Sequence, residues 1–206
     1  MMKVLIIGGH GRIAQLATEK LIDAGAVVTS LFRNPDHEAD IRALGAEPLV
    51  QDLTEVGDWS TVLRGFDVVI WSAGNGGKAG AAGTYAIDRD GELAVIVGLE
   101  AMDAPPYYLT VSYLGWDTAS VAEDGSSWAA YVAAKKAVGK RLSSGQIRYT
   151  ILAPAVLTDE PAGDAVQVDG SPAAAGATTS RELVAQVLAE YARNPGPAGT
   201  YAFIDA

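Results

Sequence analysis

Short apolar runs, rich in β-branched residues, alternate along the chain with longer stretches in which apolar residues recur at helical spacing. The short runs predict strands at residues 3–7, 27–32, 48–51, 67–72, 107–112 and 148–152. The longer stretches predict helices at residues 12–24, 38–44, 59–64, 87–102 and 127–144. Strands that are apolar almost throughout, with helices between them, indicate a parallel sheet covered on both faces. We therefore predict a doubly wound α/β fold with the strand order 3-2-1-4-5-6 and with ligands at the carboxyl ends of the strands.

The composition changes after residue 152, where alanine, glycine and proline predominate. This part predicts one short strand at 165–168, a helix at 181–192 that Ser180 would cap, and a final strand at 199–205. We expect a single domain over residues 1–206, in which residues 153–180 form a small insertion on the substrate side. So short an insertion limits the size of the substrate pocket.

The overall composition narrows the classes of partner. At 206 residues and 49 % apolar content the chain can bury a sizeable core, but no apolar run approaches the ~18–20 residues of a membrane-spanning helix. The net charge of −10 argues against a nucleic-acid partner, so any bound anion must be held locally. Cysteine is absent, and His10 and His37 are not at metal-ligand spacing, so no metal site is predicted. We expect a cytoplasmic protein, because the first strand begins at Lys3 without a cleavable signal. We also expect a monomer or homodimer with a small-molecule substrate and no membrane partner.

Three glycines separate the first strand from the first helix, in the stretch VLIIGGHGRIAQ. Gly8, Gly11 and Ala14 match the spacing G-x-x-G-x-x-G/A in the strand–turn–helix context of dinucleotide binding. Glycine permits the tight turn and lets backbone N–H groups approach a diphosphate, and the helix N-terminus adds a partial positive charge. The alternative is a purely structural turn. The residues predicted here to contact the cofactor are Gly8, Gly9, His10, Gly11, Arg12 and Ile13.

The second predicted strand ends in LFRNPD, at the position from which the adenosine ribose is recognised. Arg33 stands where an NAD-dependent enzyme carries an acidic residue, and its planar guanidinium suits a 2′-phosphate. Arg12 could approach the same phosphate from the other side, and Asn34 is a further predicted cofactor contact. We therefore predict NADP(H) rather than NAD(H). Two alternatives stay open: the arginines are solvated surface residues, or Asp36 contacts the ribose of NAD.

Tyr131 and Lys135 are four residues apart in a predicted helix and therefore lie on one face of it. An adjacent ammonium stabilises a phenolate, which would lower the pKa of Tyr131 and let it exchange a proton with a carbonyl or alcohol oxygen. Ser112 ends the fifth predicted strand, where its hydroxyl could hydrogen-bond the same oxygen. We predict that these three residues are catalytic. The alternative is a half-buried aromatic residue and a solvated lysine on an amphipathic helix.

Together these features resemble the short-chain dehydrogenase/reductase superfamily, and more narrowly its atypical small members, the NAD-dependent epimerase/dehydratase-like or NAD(P)H-binding proteins. The resemblance covers essentially the whole chain. The segments that carry it are GGHGRIA, FRNP, QDLT, WSAGNGGKAG, YAIDRDG, YVAAKKAV and ILAPAVLTDEP. It implies a Rossmann fold and a catalytic set of Ser112, Tyr131 and Lys135, in which Lys135 also holds the cofactor ribose.

The resemblance also implies further cofactor contacts. Asp52 and Leu53 would flank the adenine. Other implied contacts are Ser72, Ala73 and Gly74 after the fourth strand and, for the nicotinamide carboxamide, Pro154, Ala155, Val156 and Leu157. The stretch AGNGGKAG would be a flexible loop.

Two departures from the family pattern bear on the chemistry. The interval from the serine to the tyrosine is an unusual 19 residues, and the sixth strand reads LAPA, without the usual arginine and glycine around the proline.

We therefore predict an NADP(H)-dependent oxidoreductase or epimerase-like enzyme that acts on a small carbonyl or alcohol substrate. One alternative is a non-catalytic NADP(H)-binding redox sensor. Another is a flavin or tetrapyrrole reductase in which hydride is delivered directly, without Tyr131.

Three tryptophans fall near the predicted carboxyl edge, namely Trp71, Trp116 and Trp128. They either wall a substrate pocket or pack in the core. Trp116 lies in the loop expected to cover the nicotinamide.

Overall fold

The first strand of the chain lies inside the sheet, and its residues 4–7 are fully buried. The computed structural model describes residues 1–170 and 176–206. In that part of the chain the strands are, in order, β1 (Lys3–Ile7), β2 (Val27–Phe32), β3 (Glu47–Val50), β4 (Val68–Trp71), β5 (Tyr107–Val111), β6 (Tyr149–Pro154), β7 (Val156–Thr158), β8 (Ala165–Gln167), β9 (Thr178–Ser180) and β10 (Gly199–Asp205). Eight of them form one sheet in the order β3-β2-β1-β4-β5-β6-β10-β8, and only β8 is antiparallel to its neighbour. The predicted strand order is confirmed, and β10 and β8 extend it beyond β6.

Helices cover both faces of this sheet. They are α1 (Arg12–Asp23), α2 (Glu38–Ala43), α3 (Trp59–Leu63), α4 (Gly80–Thr84), α5 (Glu92–Glu100), α6 (Ser127–Ser144) and α7 (Arg181–Arg193). Successive strand side chains point to opposite faces, so Val4 and Ile6 pack on the side of α1, α2 and α7, whereas Leu5 and Ile7 pack on the side of α3, α5 and α6. This two-sided burial confirms the doubly wound fold. No helix in the described ranges is both long and apolar enough to cross a membrane.

The segment before α5 is helical well before the predicted start at residue 87. Helix α4 is followed by a π-helical segment, Tyr85–Gly91, that leads directly into α5. Asp88 in this segment is buried, and its carboxylate accepts the N–H of Asn75 at 3.0 Å. This bond ties the π-helical segment to the loop after β4. The glycines at 76, 77, 80 and 83 hide the helix in the sequence pattern, because glycine has low helix propensity.

The predicted insertion at 153–180 contains two strands that the sequence pattern does not predict. Strands β7 and β9 form a small parallel pair in which Val156 is opposite Thr178 and Thr158 is opposite Ser180. Each strand has only three residues, which is too short to show an alternating pattern. By contrast, β8 agrees with the predicted strand at 165–168 to within one residue. Residues 171–175 of the predicted insertion lie outside the described residues.

Trp116 packs into the core, which is one of the two alternatives that the sequence leaves open for this residue. Its ring lies against Gly139 in α6, where a Cβ atom would overlap the indole, and its N–H donates to the Thr200 hydroxyl in β10 at 3.3 Å. Trp71 is also fully buried, at the end of β4. Trp116 therefore anchors the loop that connects Ser112 to α6.

We expect Gly139→Ala to destabilise the protein, because the added methyl group must displace the Trp116 ring. Overpacking costs about 1–3 kcal/mol, which exceeds the gain of at most about 1 kcal/mol from the higher helix propensity of alanine. Urea unfolding should therefore show a lower midpoint for this variant. Gly57→Ala is the matched control, because a Cβ at that position meets no atom within 4 Å. An unchanged or higher midpoint for Gly139→Ala would contradict the packing described.

Candidate active site

The glycine turn after β1 is pressed against the ends of two neighbouring strands. The N–H groups of Gly8 and Gly9 both donate to the carbonyl oxygen of Leu31 in β2, each at 2.9 Å. Gly8 has a φ of +88°, and a Cβ there would lie 2.5 Å from the backbone of Ala73 in the loop after β4. A Cβ at Gly9 would overlap Ser30 in β2. Only glycine fits at both positions, so the turn has a structural role in addition to any ligand that it binds.

Helix α1 begins at this turn without a side-chain cap. Its N-cap residue Gly11 makes no side-chain hydrogen bond, and the N–H of Gln15 donates to the carbonyl of Gly11 at 2.9 Å. The first turn of the helix also contains no acidic residue. The first N–H groups of a helix need partners, and together with the helix dipole they attract an anion. Arg12 and Ile13 contribute two of these groups, so the start of α1 fits a diphosphate.

A groove of about 640 Å³ runs from this turn along the carboxyl ends of β2, β3 and β4. It includes the point between β1 and β4 where the strand order reverses, which is where ligands bind in sheets of this type. Ten of the residues predicted to bind the cofactor line it: Gly8, His10, Gly11, Arg33, Asn34, Asp52, Leu53, Ser72, Ala73 and Gly74. The structure therefore brings together the glycine turn and the ends of three strands, as an extended dinucleotide requires.

Arg33 lies at the end of this groove that β2 and β3 form. Its side chain is 77 % exposed, and its Nη1 is 4.0 Å from Oδ2 of Asp52. Hydrogen bonds from Thr54 lower the pKa of Asp52, so this carboxylate is ionised at neutral pH. Asn34 caps a short 3₁₀ turn by accepting the N–H of Asp36 at 3.2 Å. Asp36 itself is not among the residues that line the groove.

Two histidines that line the same groove as Arg33 stack on each other. The sequence pattern does not indicate this stack. The ring centroids of His10 and His37 are 3.5 Å apart, and Nε2 of His10 lies 3.0 Å from Oδ2 of Asp40. His10 belongs to the glycine turn and His37 to the loop after β2. The stack therefore links two of the segments that form the groove, and only the fold brings these distant positions together.

The structure does not place the Arg12 side chain where the sequence predicts it. Its Nη1 lies 2.6 Å from Oδ2 of Asp159, whose other oxygen accepts a hydrogen bond from Arg181 at 2.8 Å. Arg12 does not line the groove that Arg33 lines. The side chain of Arg12 therefore pairs with Asp159, which directly follows β7. The backbone N–H of Arg12 stays next to the glycine turn.

Ser112 and Tyr131 lie further along the carboxyl edge of the sheet. Ser112 directly follows β5, and its buried Oγ has no hydrogen-bond partner among the described residues. The half-buried Tyr131 ring of α6 is 5.5 Å from the Tyr113 ring and 5.8 Å from the Trp128 ring, centroid to centroid. Burial raises the pKa of Tyr113 to about 12. Trp128 is 52 % exposed, so it is the candidate tryptophan that borders the site.

Lys135 is buried, and its ammonium pairs with a carboxylate; its contact with the cofactor ribose stays a prediction. Its side chain is 3 % exposed, and its Nζ donates to Oε2 of Glu92 at 3.1 Å. The other oxygen of Glu92 accepts hydrogen bonds from Tyr108, at 3.2 Å, and from Thr110. The Nζ of Lys135 lies 5.9 Å from the centroid of the Tyr131 ring. The ammonium therefore faces a carboxylate as well as the candidate catalytic tyrosine.

The surroundings of Tyr131 raise its pKa, although the spacing with Lys135 predicts a lower one. Burial is the largest cause, because it disfavours the charged phenolate. Lys135 lowers the pKa of Tyr131, but the carboxylates of Asp88 and Glu92 raise it. The balance of these effects keeps Tyr131 a neutral phenol at neutral pH.

Asp88 and Glu92 are the acidic residues of this site that the sequence analysis misses. Both are buried, and they are four residues apart in a helical stretch that is otherwise largely apolar, ending in the α5 sequence ELAVIVGLE. Residues at that spacing share one helix face. Acidic residues on the buried face of a helix are unusual, and this is the signal that could have identified them.

The segment predicted to hold the carboxamide begins inside β6. The carbonyl of Pro154 accepts the N–H of Leu114 at 2.7 Å, and the N–H of Ala155 donates to the hydroxyl of Thr179 at 3.0 Å. Val156 starts β7, and its side chain is 70 % exposed. The contact of these four residues with a carboxamide stays a prediction.

Residues 8–195 match the protein family described as NAD(P)H-binding. The chain belongs to this family. Together with the groove at the glycine turn, this match identifies a nicotinamide dinucleotide as the cofactor. The binding of NAD(P)H supports oxidoreductase activity without naming a reaction.

Three proteins show how this NAD(P)H-binding chain compares with its relatives. The Bacillus subtilis protein named uncharacterized sugar epimerase YhfK is 29 % identical over 171 residues, which cover 78 % of this chain and 74 % of that protein. A structure named as an NAD-dependent epimerase/dehydratase from Bacillus halodurans has a TM-score of 0.87 and 25 % identity, covering 100 % of this chain and 95 % of that one. ChuY, named an anaerobillin reductase, from Escherichia coli O157:H7 shares the fold with a TM-score of 0.76 and 21 % identity, covering 99 % and 97 % of the two chains. The predicted epimerase/dehydratase-like resemblance is confirmed.

We expect Asp88→Asn to stabilise the protein at neutral pH. Burial raises the pKa of Asp88 above its value in the unfolded chain, so the folded state binds the proton more tightly and loses stability as the pH rises from about 4 through the folded pKa. Asparagine carries no charge and can still accept the N–H of Asn75. Urea unfolding at a series of pH values should therefore show a growing advantage of the variant toward neutral pH.

Asp58→Asn is the contrasting control for this series. Hydrogen bonds from Ser60 and Thr61 lower the pKa of Asp58, so its charge adds stability above about pH 4 that is lost as the pH falls through the folded pKa. This variant should lose stability relative to the parent at neutral pH. A difference between Asp88→Asn and the parent that does not change with pH would show that Asp88 is not disfavoured as a buried charge.

Proposed function

We propose that the protein uses NADPH to reduce a small carbonyl compound to an alcohol, with Ser112 and Tyr131 as the residues that contact the reacting oxygen. The observation that carries this proposal is a buried Ser112 hydroxyl with no partner among the described residues, at the same edge of the sheet as a tyrosine kept as a phenol. A buried hydroxyl without a partner costs about 1–3 kcal/mol. A substrate oxygen at this position would satisfy it.

The roles of the two hydroxyls follow from their protonation. A bound reduced nicotinamide supplies a hydride to the carbonyl carbon. Tyr131 donates its proton to the carbonyl oxygen, so that the C=O group becomes an alcohol, and the phenolate regains a proton from solvent. Ser112 hydrogen-bonds the same oxygen and orients it. A raised pKa suits this direction, because the donor must carry its proton, whereas alcohol oxidation requires the phenolate.

Trp128 and Tyr113 are proposed as the wall of the substrate site. Their rings are 5.5 Å apart and both lie beside Tyr131, so they present aromatic surface next to the proton donor. Aromatic surface favours a substrate with a flat or apolar group attached to its carbonyl.

Epimerisation is the second candidate, because YhfK is named a sugar epimerase and the Bacillus halodurans protein an epimerase/dehydratase. The same residues would act, but Tyr131 would have to take a proton from an alcohol before returning one. A phenol with a raised pKa is poorly suited to that first step. Reduction is therefore the better supported reaction.

NADPH is proposed over NADH because of Arg33. This side chain stands at the end of β2, lines the groove and is exposed enough to turn toward a 2′-phosphate. Asp36, the acidic residue that could instead have bound the ribose of NAD, does not line the groove.

We expect Arg33→Ala to weaken NADPH binding roughly 10- to 100-fold, since a hydrogen bond to a charged group contributes about 1.5–3 kcal/mol. NADH binding should be nearly unchanged, because NADH has no 2′-phosphate. Fluorescence titration of nucleotide-free protein with each cofactor measures both. Arg64→Ala, which removes an exposed arginine before β4 at the opposite edge of the sheet, is the matched control. Equal losses for the two cofactors in Arg33→Ala would sink the 2′-phosphate assignment.

We expect Tyr131→Phe to lower the turnover of carbonyl substrates by about 10²- to 10⁴-fold, the usual contribution of a general acid. NADPH affinity should stay the same, since the hydroxyl acts on the substrate. Steady-state kinetics over a panel of aldehydes and ketones measures the first, and fluorescence titration the second. Tyr191→Phe in α7 is the control, because that ring packs on Tyr201 away from the site.

Other outcomes of this experiment point to the remaining functions. Unchanged turnover in Tyr131→Phe would indicate direct hydride delivery, as in a flavin or tetrapyrrole reductase. A parent protein that binds NADPH but reduces no compound in the panel would favour a non-catalytic redox sensor.

A further inference from the structure

Glu92 is the most deeply placed charged group near the candidate active site. It is fully buried at the start of α5, and one carboxylate oxygen accepts the Lys135 ammonium at 3.1 Å. The other oxygen accepts the hydroxyls of Tyr108 and Thr110 from β5. Three donors from two elements thus fix both oxygens of this carboxylate in place.

A buried ion pair of this kind is weak evidence of a stabilising role. Taking a carboxylate and an ammonium out of water costs several kcal/mol per ion, and apolar residues of similar size often serve a folded core as well or better. The pair lies under the carboxyl edge, with the Lys135 ammonium 5.9 Å from the Tyr131 ring centroid. Its position therefore suggests a role in the chemistry of Tyr131.

The charges that face Tyr131 come from three packed segments. Lys135 in α6 contributes one positive charge, whereas Glu92 in α5 and Asp88 in the π-helical segment contribute carboxylates. Helix α4 has the sequence GAAGT and adds no ionisable group, and Tyr113 contributes a neutral phenol. The carboxylate of Glu92 therefore offsets part of the effect that the Lys135 ammonium has on Tyr131.

We propose that Glu92 is a positioning residue that fixes the ammonium of Lys135 and offsets part of its charge, so that Tyr131 stays protonated and the site is biased toward reduction. This inference rests on the proposed function only for its last step. The protonation of Tyr131 can be measured without any substrate.

The test is Glu92→Gln, which preserves the shape of the side chain but removes its charge. Lys135 then acts on Tyr131 without a counter-charge, so the midpoint of Tyr131 deprotonation should fall by about 1 pH unit or more. The near-ultraviolet absorbance of phenolate, taken as the difference between each protein and its own Tyr131→Phe counterpart, isolates this tyrosine from the others. Glu100→Gln is the matched control, because Glu100 is also in α5 but pairs with Arg141 at the surface. An unchanged midpoint in Glu92→Gln would overturn the proposal.

A second variant keeps the test valid where the single substitution does not fold. Glu92→Gln combined with Lys135→Met removes both charges and leaves no unpaired buried ion. Because Glu92 is proposed to act on Tyr131 by offsetting the Lys135 ammonium, the midpoint in this double variant should be at or above that of the parent protein. A midpoint clearly below that of the parent protein would mean that Glu92 acts on Tyr131 without Lys135, and would overturn the proposal.

The kinetic result separates this inference from the proposed function. For carbonyl reduction, the alkaline limb of the pH–rate profile should move down with the phenolate midpoint in Glu92→Gln. A shifted midpoint in a protein that reduces no carbonyl compound would support the role of Glu92 and contradict the proposed function. A shifted rate profile without a shifted midpoint would contradict the role of Glu92.

Discussion

The close approach of the glycine turn to the ends of β2 and β4 is the constraint on which the rest of the site depends. No Cβ fits at Gly8 or Gly9, and the turn brings the uncapped start of α1 to the point where the strand order reverses. A chain with a net charge of −10 cannot attract a dinucleotide by its overall charge. The local amide groups and the dipole of α1 must do so. The groove therefore begins at this turn and extends from it along the carboxyl ends of the strands.

The two ends of the site have opposite electrostatic character. The end formed by β2 and β3 carries the exposed Arg33, whose charge is available to a ligand in solvent. The end at β5 and α6 carries Lys135, whose charge is buried and already balanced by Glu92. In the proposed function a positive charge serves binding at one end, whereas at the other end the carboxylates and burial keep the proposed proton donor, Tyr131, protonated. This arrangement favours the delivery of a proton together with a hydride.

Much of the fold is readable from local patterns, but the partners of its charged residues are not. Strands β1 and β2 and helix α6 have the predicted bounds, because two-sided burial and a serine N-cap mark them clearly. Helix α4 and the pair β7–β9 escape prediction, since glycines conceal the first and the second depends on contacts between distant segments. Lys135 and Glu92 are 43 positions apart, and Arg12 and Asp159 are 147 apart. A spacing rule identifies Lys135 as a neighbour of Tyr131 but cannot reveal the carboxylate that neutralises it.

The most direct test of this account is a titration of isotope-labelled, nucleotide-free protein with NADPH, followed by the backbone amide resonances in NMR spectra. The account predicts that the amide signals of His10, Arg12 and Ile13 shift most on saturation, because a diphosphate would take their N–H groups as donors. Signals of the last turn of α7, which lies toward the amino ends of the strands and away from the groove, should stay in place. Saturation without shifts at the glycine turn, or no binding at all, would contradict the central claim that this turn holds the cofactor.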